Sequence, residues 1–201
     1  FFCAEECLGE IKLNVPGQHN VLNSLAAVTL GLEMGLSFQT IKSGIFKYSG
    51  VRRRFDIKGT HKNIMVVDDY AHHPTEVKAT LKAAKSGWKR RIIAIFQPHL
   101  FSRTRDFFKE FAVALQLADF VILSDIYPAR EKPIPNITSK IIYDELYKSM
   151  KDKCILLSDL DEMNKVIFDI LKPGDMVLTM GAGSIWRYSD SFYQNLIKFY
   201  N

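Results

Sequence analysis

The chain has 201 residues, 47% hydrophobic and 24% charged. At roughly 150 residues per domain that is one large domain, or one domain and a piece, and it excludes a fibre or a disordered chain. The 27 Lys and Arg against 22 Asp and Glu give a net charge of +5, which favours anionic ligands such as phosphates without demanding nucleic acid.

The opening FFCAEECLGE has glutamates where a signal peptide needs a basic region and an apolar core, and it reads as a chain entered midway. Cys3, Cys7 and Cys154 form no CxxC, so neither a disulfide framework nor a zinc knuckle is indicated and a reducing compartment fits. Helical periodicity follows over 20–34, stopped by Gly35, and over 38–48, stopped by Ser49 and Gly50. Asn20 and Asn23 share a face at the start of the first helix, with Val21, Leu22, Leu25, Ala26, Val28 and Leu32 as its apolar side. Two carboxamides suit an adenine edge, because an amide both donates to a ring nitrogen and accepts from the amino group. The plain alternative is that Asn20 caps the helix. No strand–helix repeat occurs here, so a boundary is expected near residue 50, with 1–50 the tail of one domain and 51–201 a second.

Past that boundary, Arg52, Arg53 and Arg54 form a basic run in which one guanidinium fork is expected to hold a phosphate and the other two to be solvated. From Ile64 onward five β-rich runs, IMVVDD, RIIAIFQ, FVILSD, CILLSD and MVLTMG, alternate with helical stretches over 74–85, 104–117, 137–150, 161–171 and 185–200. Such alternation predicts an α/β fold with a mostly parallel, three-layer sheet. A proline-rich loop is expected over 127–135. The longest apolar stretch, 111–123, is broken by Gln116 and Asp119 and falls short of the ~18 residues of a membrane span, so a soluble protein is expected.

In open parallel sheets ligands bind beyond the carboxyl ends of the strands. There the sequence places Asp68, Asp69, Tyr70, His72 and His73, then Gln97, His99, Ser102, Arg103 and Arg105, then Asp125 and Tyr127, Asp159, and finally Gly181 and Gly183. Asp68, Asp125 and Asp159 read equally well as caps or loop residues. Gly181-Ala182-Gly183 has the place of a phosphate loop, but Trp186 stands where a third glycine would, and a tight strand-to-helix turn explains it equally well. No GxxxxGK[ST] occurs in the 201 residues. Two non-ligase readings stay open: a nucleotide-binding module without catalysis, and a metal-dependent phosphoesterase built on Asp68, Asp69, His72, His73 and His99.

Taken together, PGQHNVLNSLAA, GVRRRFD, VDDYAHHPTEV, FQPHLFSRTRDF, LSDIYPAREKPI and LTMGAGSIW resemble the Mur family of ATP-dependent amino-acid ligases, from about Val15 to Trp186. Its alanine-adding members are the most similar. The resemblance implies a cytoplasmic enzyme of cell-wall precursor synthesis. With ATP and Mg2+ it would phosphorylate the carboxylate of UDP-N-acetylmuramate and let L-alanine displace the phosphate. It further implies that 1–50 is the helical tail of an incomplete central ATPase domain, whose remainder would hold the metal, and that 51–201 is the carboxyl-terminal Rossmann-like domain. By the same resemblance Asn20 and Asn23 contact adenine, Arg54 lies on the phosphate side and Asp69 binds ribose. Tyr70, His72, His99 and Arg103 would surround the acyl phosphate and the incoming amino acid, with His72 or His99 available to take a proton. Leu100 and Phe101 depart from the arginine and tyrosine of many relatives. The 201 residues alone are expected to be inactive and to bind nucleotide weakly at most.

Overall fold

The computed structural model describes residues 2–3 and 6–200, with side chains from residue 7 onward; Cys3, weighed above, has its side chain outside that set. The chain divides into two compact units, one running to Val51 and the other starting at Arg52.

The first unit opens with a two-stranded antiparallel ladder, β1 (Phe2–Cys3) and β2 (Glu6–Cys7). Helices α1 (Gln18–Glu33) and α2 (Phe38–Lys47) follow. Ser37 caps α2, its hydroxyl accepting from the Thr40 amide at 3.2 Å. The helices touch where Gly31 lets Ile41 come close; a Cβ at Gly31 would stand 2.8 Å from Ile41 Cδ1. The apolar side expected for α1 is not its buried side. Val28 is buried together with Ser24 and Gly31, while Val21, Leu22 and Leu25 are exposed. Helix α1 also begins two residues before the expected start, with Gly17 at the cap position.

The second unit is a six-stranded sheet in the order β3-β4-β8-β5-β6-β7. Its elements are β3 (Asp56–His61), β4 (Ile64–Asp69), α3 (Pro74–Gly87), β5 (Ile92–Phe96), α4 (Phe101–Leu115), β6 (Phe120–Ser124), α5 (Lys140–Met150), β7 (Cys154–Leu157), α6 (Met163–Ile170), β8 (Met176–Met180) and α7 (Ile185–Tyr200). The five strands from β4 to β8 are parallel, as the alternation of elements predicts. β3 is a sixth strand that the sequence reading missed, paired antiparallel with β4. Its signal is the two-residue turn at Lys62 and Asn63, both at positive φ (47° and 62°), the geometry of a twisted hairpin.

Period-two alternation sends successive side chains of each central strand to opposite faces. Met65, Val67, Ala94, Phe96, Leu178 and Met180 pack under α3, α4 and α5. Ile64, Val66, Ile93, Ile95 and Val177 pack under α6 and α7. At about 25 cal/mol per Å² of apolar surface removed from water, these two layers are the main stabilising term. Because β8 lies between β4 and β5 yet leads to a helix on the opposite face, the loops after these three strands diverge at their carboxyl ends, the place where open α/β sheets put their ligand crevice.

At the other end of the sheet, Arg91 grips Asp175 through Nε at 2.9 Å and an Nη at 2.6 Å, closing the rim away from the crevice. Helix α4 starts at Phe101, three residues earlier than expected, which puts Arg103 in its first turn; it is kinked at Phe107. Cys7 and Cys154 are free thiols, and no helix among the described residues is long and apolar enough to cross a membrane.

Candidate active site

The loop between β4 and α3 is held by its own carboxylates. Asp69, 6% exposed, accepts from the Phe55 amide at 2.8 Å and from the Ala71 amide at 2.7 Å. Asp68, fully buried, accepts from the Thr179 hydroxyl at 2.8 Å and from Arg53 Nε at 3.2 Å. Burial raises both carboxyls above their ordinary value, opposed at Asp68 by Thr179 and Arg53 and at Asp69 by the two amides. Arg53 also donates to the Gly181 carbonyl at 2.6 Å, and its guanidinium lies 4.9 Å from the Tyr70 ring centroid. The expectation that only one arginine of the run is functional and the other two are solvated is therefore corrected for Arg53, which ties the loops after β4 and β8 together. Arg54 is exposed, with its guanidinium 5.6 Å from the Tyr70 ring centroid.

His73 opens α3 with a reciprocal cap: its ring nitrogen accepts from the Thr75 amide, and the Glu76 carboxylate accepts from the amides of His72 (3.0 Å) and His73 (3.2 Å). Burial acts to raise the Glu76 carboxyl, but the His72 amide and ring, the His73 amide and Arg54 outweigh it and hold it low. His72 is thus fixed at the head of the helix with its ring edge-on to Tyr70 (5.1 Å) and to His99 (5.8 Å).

His99 comes from the loop after β5, which is zipped to the loop after β6: Tyr127 donates its amide to the Pro98 carbonyl, and Leu100 donates to the Tyr127 carbonyl. The His99 ring stacks on Tyr127 at 5.8 Å. Leu100 adopts φ 74°, a left-handed conformation rare for a branched side chain, and from there α4 begins. Glu131 anchors that helix start, accepting from the Ser102 amide at 3.0 Å and from its hydroxyl. One turn in, Arg103 reaches back to His99 Nδ1 (3.4 Å) and the His72 carbonyl (3.5 Å).

The structure therefore brings Tyr70, His72, His99 and Arg103 into one cluster beside Asp69 and Arg54. Asn20 and Asn23 lie on the first unit. Asn20 does not occupy the cap position of its helix, since Gly17 does; its side-chain amide donates to the Pro16 carbonyl at 2.6 Å, and Asn23 is exposed. Gly181 and Gly183 serve close packing. A Cβ at Gly181 would sit 2.8 Å from the Gln97 carbonyl, and one at Gly183 would overlap Gln97 Oε1 and stand 2.5 Å from Tyr127 Cγ. Gln97 Oε1 also accepts from the Ile185 amide, so this loop is filled by protein where a dinucleotide fold leaves room for phosphate. Asp125 accepts from Ser139, and Asp159 caps the short turn before α6. No group of three or more His, Cys, Asp or Glu is placed to hold a metal among the described residues. Glu131 is the residue that sequence reasoning passed over, while Arg53 was seen only as one of a basic run and Glu76, three positions after the helix cap, only as a first-turn acid.

Comparisons with known proteins identify the family. The family model "Mur ligase, glutamate ligase domain" matches residues 53–183. The chain is 46% identical to a UDP-N-acetylmuramate–L-alanine ligase of Geotalea uraniireducens over 94% of its own length and 41% of that protein, and 46% identical to one of Desulforamulus reducens over 96% and 42%. The crystal structure of a UDP-N-acetylmuramate-alanine ligase from Thermotoga maritima superposes with a TM-score of 0.81 at 35% identity, covering 94% of this chain and 40% of that one. The chain thus spans about two fifths of the length of these relatives. With the matched segment running from Arg53 through the crevice to Gly183, the chain belongs to the Mur ligase family.

Proposed function

We propose that this chain forms the amino-acid side of an ATP-dependent ligase that joins L-alanine to UDP-N-acetylmuramate in cell-wall precursor synthesis. The observation that carries the reading is the convergence of His72, His99 and Arg103 at the crevice, with Arg103 within 3.5 Å of atoms of both histidines. A guanidinium there suits the carboxylate of an incoming amino acid, with Tyr70 as a wall and Arg54 toward the phosphate side. ATP would supply the phosphoryl group that activates the muramate carboxylate. On this reading Asn20 and Asn23 contact adenine: Asn23 is exposed, and Asn20 keeps its carbonyl oxygen for a ligand while its amide serves Pro16.

Asp69 fits ribose less directly, because both of its oxygens already accept backbone amides; in this role it would offer only remaining lone pairs. Since no GxxxxGK[ST] occurs here, the triphosphate and Mg2+ are assigned to other parts of the ligase. The carboxyl of UDP-N-acetylmuramate enters as an acyl phosphate. The amine of L-alanine attacks it, and the protein contributes donors and cations where negative charge develops.

The test is L-alanine-dependent phosphate release by the full-length enzyme supplied with ATP, Mg2+ and UDP-N-acetylmuramate. R103A should lower kcat/KM for L-alanine about 10- to 100-fold, the worth of one charge-assisted hydrogen-bond pair. Ligation that is indifferent to L-alanine, or to Arg103, would overturn the assignment.

A further inference from the structure

His72 and His99 face one another across 5.8 Å, and proximity alone does not divide labour between them. Their Nδ1 partners do. His72 Nδ1 lies 2.9 Å from the Tyr70 carbonyl oxygen and 3.3 Å from Glu76 Oε2. Both neighbours offer only lone pairs, so this nitrogen carries the proton, and in the neutral ring Nε2 keeps its lone pair. His99 Nδ1 meets the reverse situation, 3.4 Å from an Arg103 Nη that can only donate. That Nδ1 accepts, which leaves the ring proton on Nε2.

We infer that the two histidines are held in opposite tautomers, His72 presenting a proton acceptor and His99 a proton donor at Nε2, with Glu76 and Arg103 as the positioning residues. The inference deepens the ligase reading and rests on it for the chemistry. As the alanine nitrogen adds to the acyl phosphate, the C–N bond forms and the carbonyl pair moves to oxygen. His99 Nε2–H then donates to that oxygen, and His72 Nε2 takes the proton that nitrogen sheds. When the pair returns, the C–O bond to phosphate breaks, phosphate leaves with its electrons, and the proton on His72 passes to it. Burial first, then Arg103 and His72, hold the His99 imidazole below its ordinary value against the pull of Glu131, which keeps it a neutral donor.

Two measurements test this independently. Long-range ¹⁵N spectra of the imidazoles in this chain at about pH 8.5, where an ordinary histidine is neutral, read the tautomers directly. His72 and His99 are assigned by loss of signal in H72Q and H99Q. Opposite patterns are expected, and because the Tyr70 carbonyl still accepts from His72 Nδ1, E76A should weaken the His72 pattern without reversing it. The same pattern at both rings overturns the inference, and an unchanged His72 in E76A overturns the role of Glu76.

In the full-length ligase, H99Q retains an N–H donor near Nε2 and should keep activity within about tenfold, whereas H99A loses about 10²- to 10³-fold. At His72 an amide cannot serve as a base, so H72Q and H72A should both lose about 10²- to 10⁴-fold in kcat with little change in the KM for L-alanine. Equal rescue by glutamine at both positions overturns the division of roles. A wild-type enzyme that ligates nothing overturns the ligase reading and leaves the spectra to decide the tautomers.

Discussion

Removing Arg53 should unfold the second unit more readily than any surface substitution. Its partner Asp68 is fully buried and Arg53 only 22% exposed, so R53A strands a carboxylate in the core with Thr179 as its remaining side-chain donor. Breaking a buried pair from one side costs about 3–5 kcal/mol; Thr179 argues for the lower end, and losing the bond to the Gly181 carbonyl adds about 1 kcal/mol. A deficit of about 4 kcal/mol lowers the Tm of a domain this size by about 8–16 °C. The assay is urea unfolding followed by tryptophan emission, since both tryptophans, Trp88 and Trp186, belong to this unit. Because burial raises the Asp68 carboxyl, its protonated form is favoured in the native state. The associated stability is present below the unfolded carboxyl value and is lost as pH rises through the folded one, so the R53A deficit should shrink toward about pH 4. R53A/D68N should recover at least about 1.5 kcal/mol over R53A by neutralising the stranded group. An R53A deficit under about 1 kcal/mol, or a double variant no more stable than R53A, would refute the buried-pair account.

Three further outcomes follow from the same geometry. His99 has a depressed folded value, so its contribution to stability is present above the ordinary imidazole pKa and is lost as pH falls toward the folded one. Wild type minus H99Q, measured by urea unfolding at several pH values, should therefore decline on acidification below about pH 6.5. Gly183→Ala places a Cβ against Gln97 and Tyr127, and should cost about 1–3 kcal/mol while displacing Tyr127 from His99, visible as a changed His99 ring chemical shift. Glu131→Ala frees the Ser102 amide, and hydrogen exchange at Ser102 and Arg103 should accelerate with the core strands unchanged.

The parallel layers were legible because each central strand is buried on both faces and announces itself as an unbroken apolar run, as in Ile92–Phe96. β3 escaped because it is an edge strand: Ile57 is exposed, Gly59 interrupts it, and only the Lys62-Asn63 turn betrays the hairpin. The proximity of the two imidazoles and Arg103 was legible because all three follow strand ends on one rim of the sheet. Arg53 was not, since nothing in a run of three arginines says which one faces a buried aspartate 15 residues on. The same limit bears on α1, where apolar residues at helical spacing suggested a buried stripe, but of these Val28 is buried together with Ser24 and Gly31, the last being where Ile41 of α2 comes close.

The acidic pair after β4 shows how the site acquires its character. Asp68 and Asp69 look like metal ligands or catalytic acids in sequence, yet each spends its oxygens on the protein: one on Arg53 and Thr179, the other on the Phe55 and Ala71 amides. Glu76 and Glu131 are likewise consumed in fixing the starts of α3 and α4. What remains toward the crevice is Arg54, Arg103, two imidazoles and a phenol, a cluster that repels cations and welcomes carboxylate and phosphate. On the ligase reading, the cationic character of the site is thus set by carboxylates whose oxygens are largely spent on the protein. A variant that frees one of them, such as R53A releasing Asp68, should therefore weaken anion binding at the crevice as well as stability, and a titration of R53A with inorganic phosphate at neutral pH, under conditions where it remains folded, is the direct check.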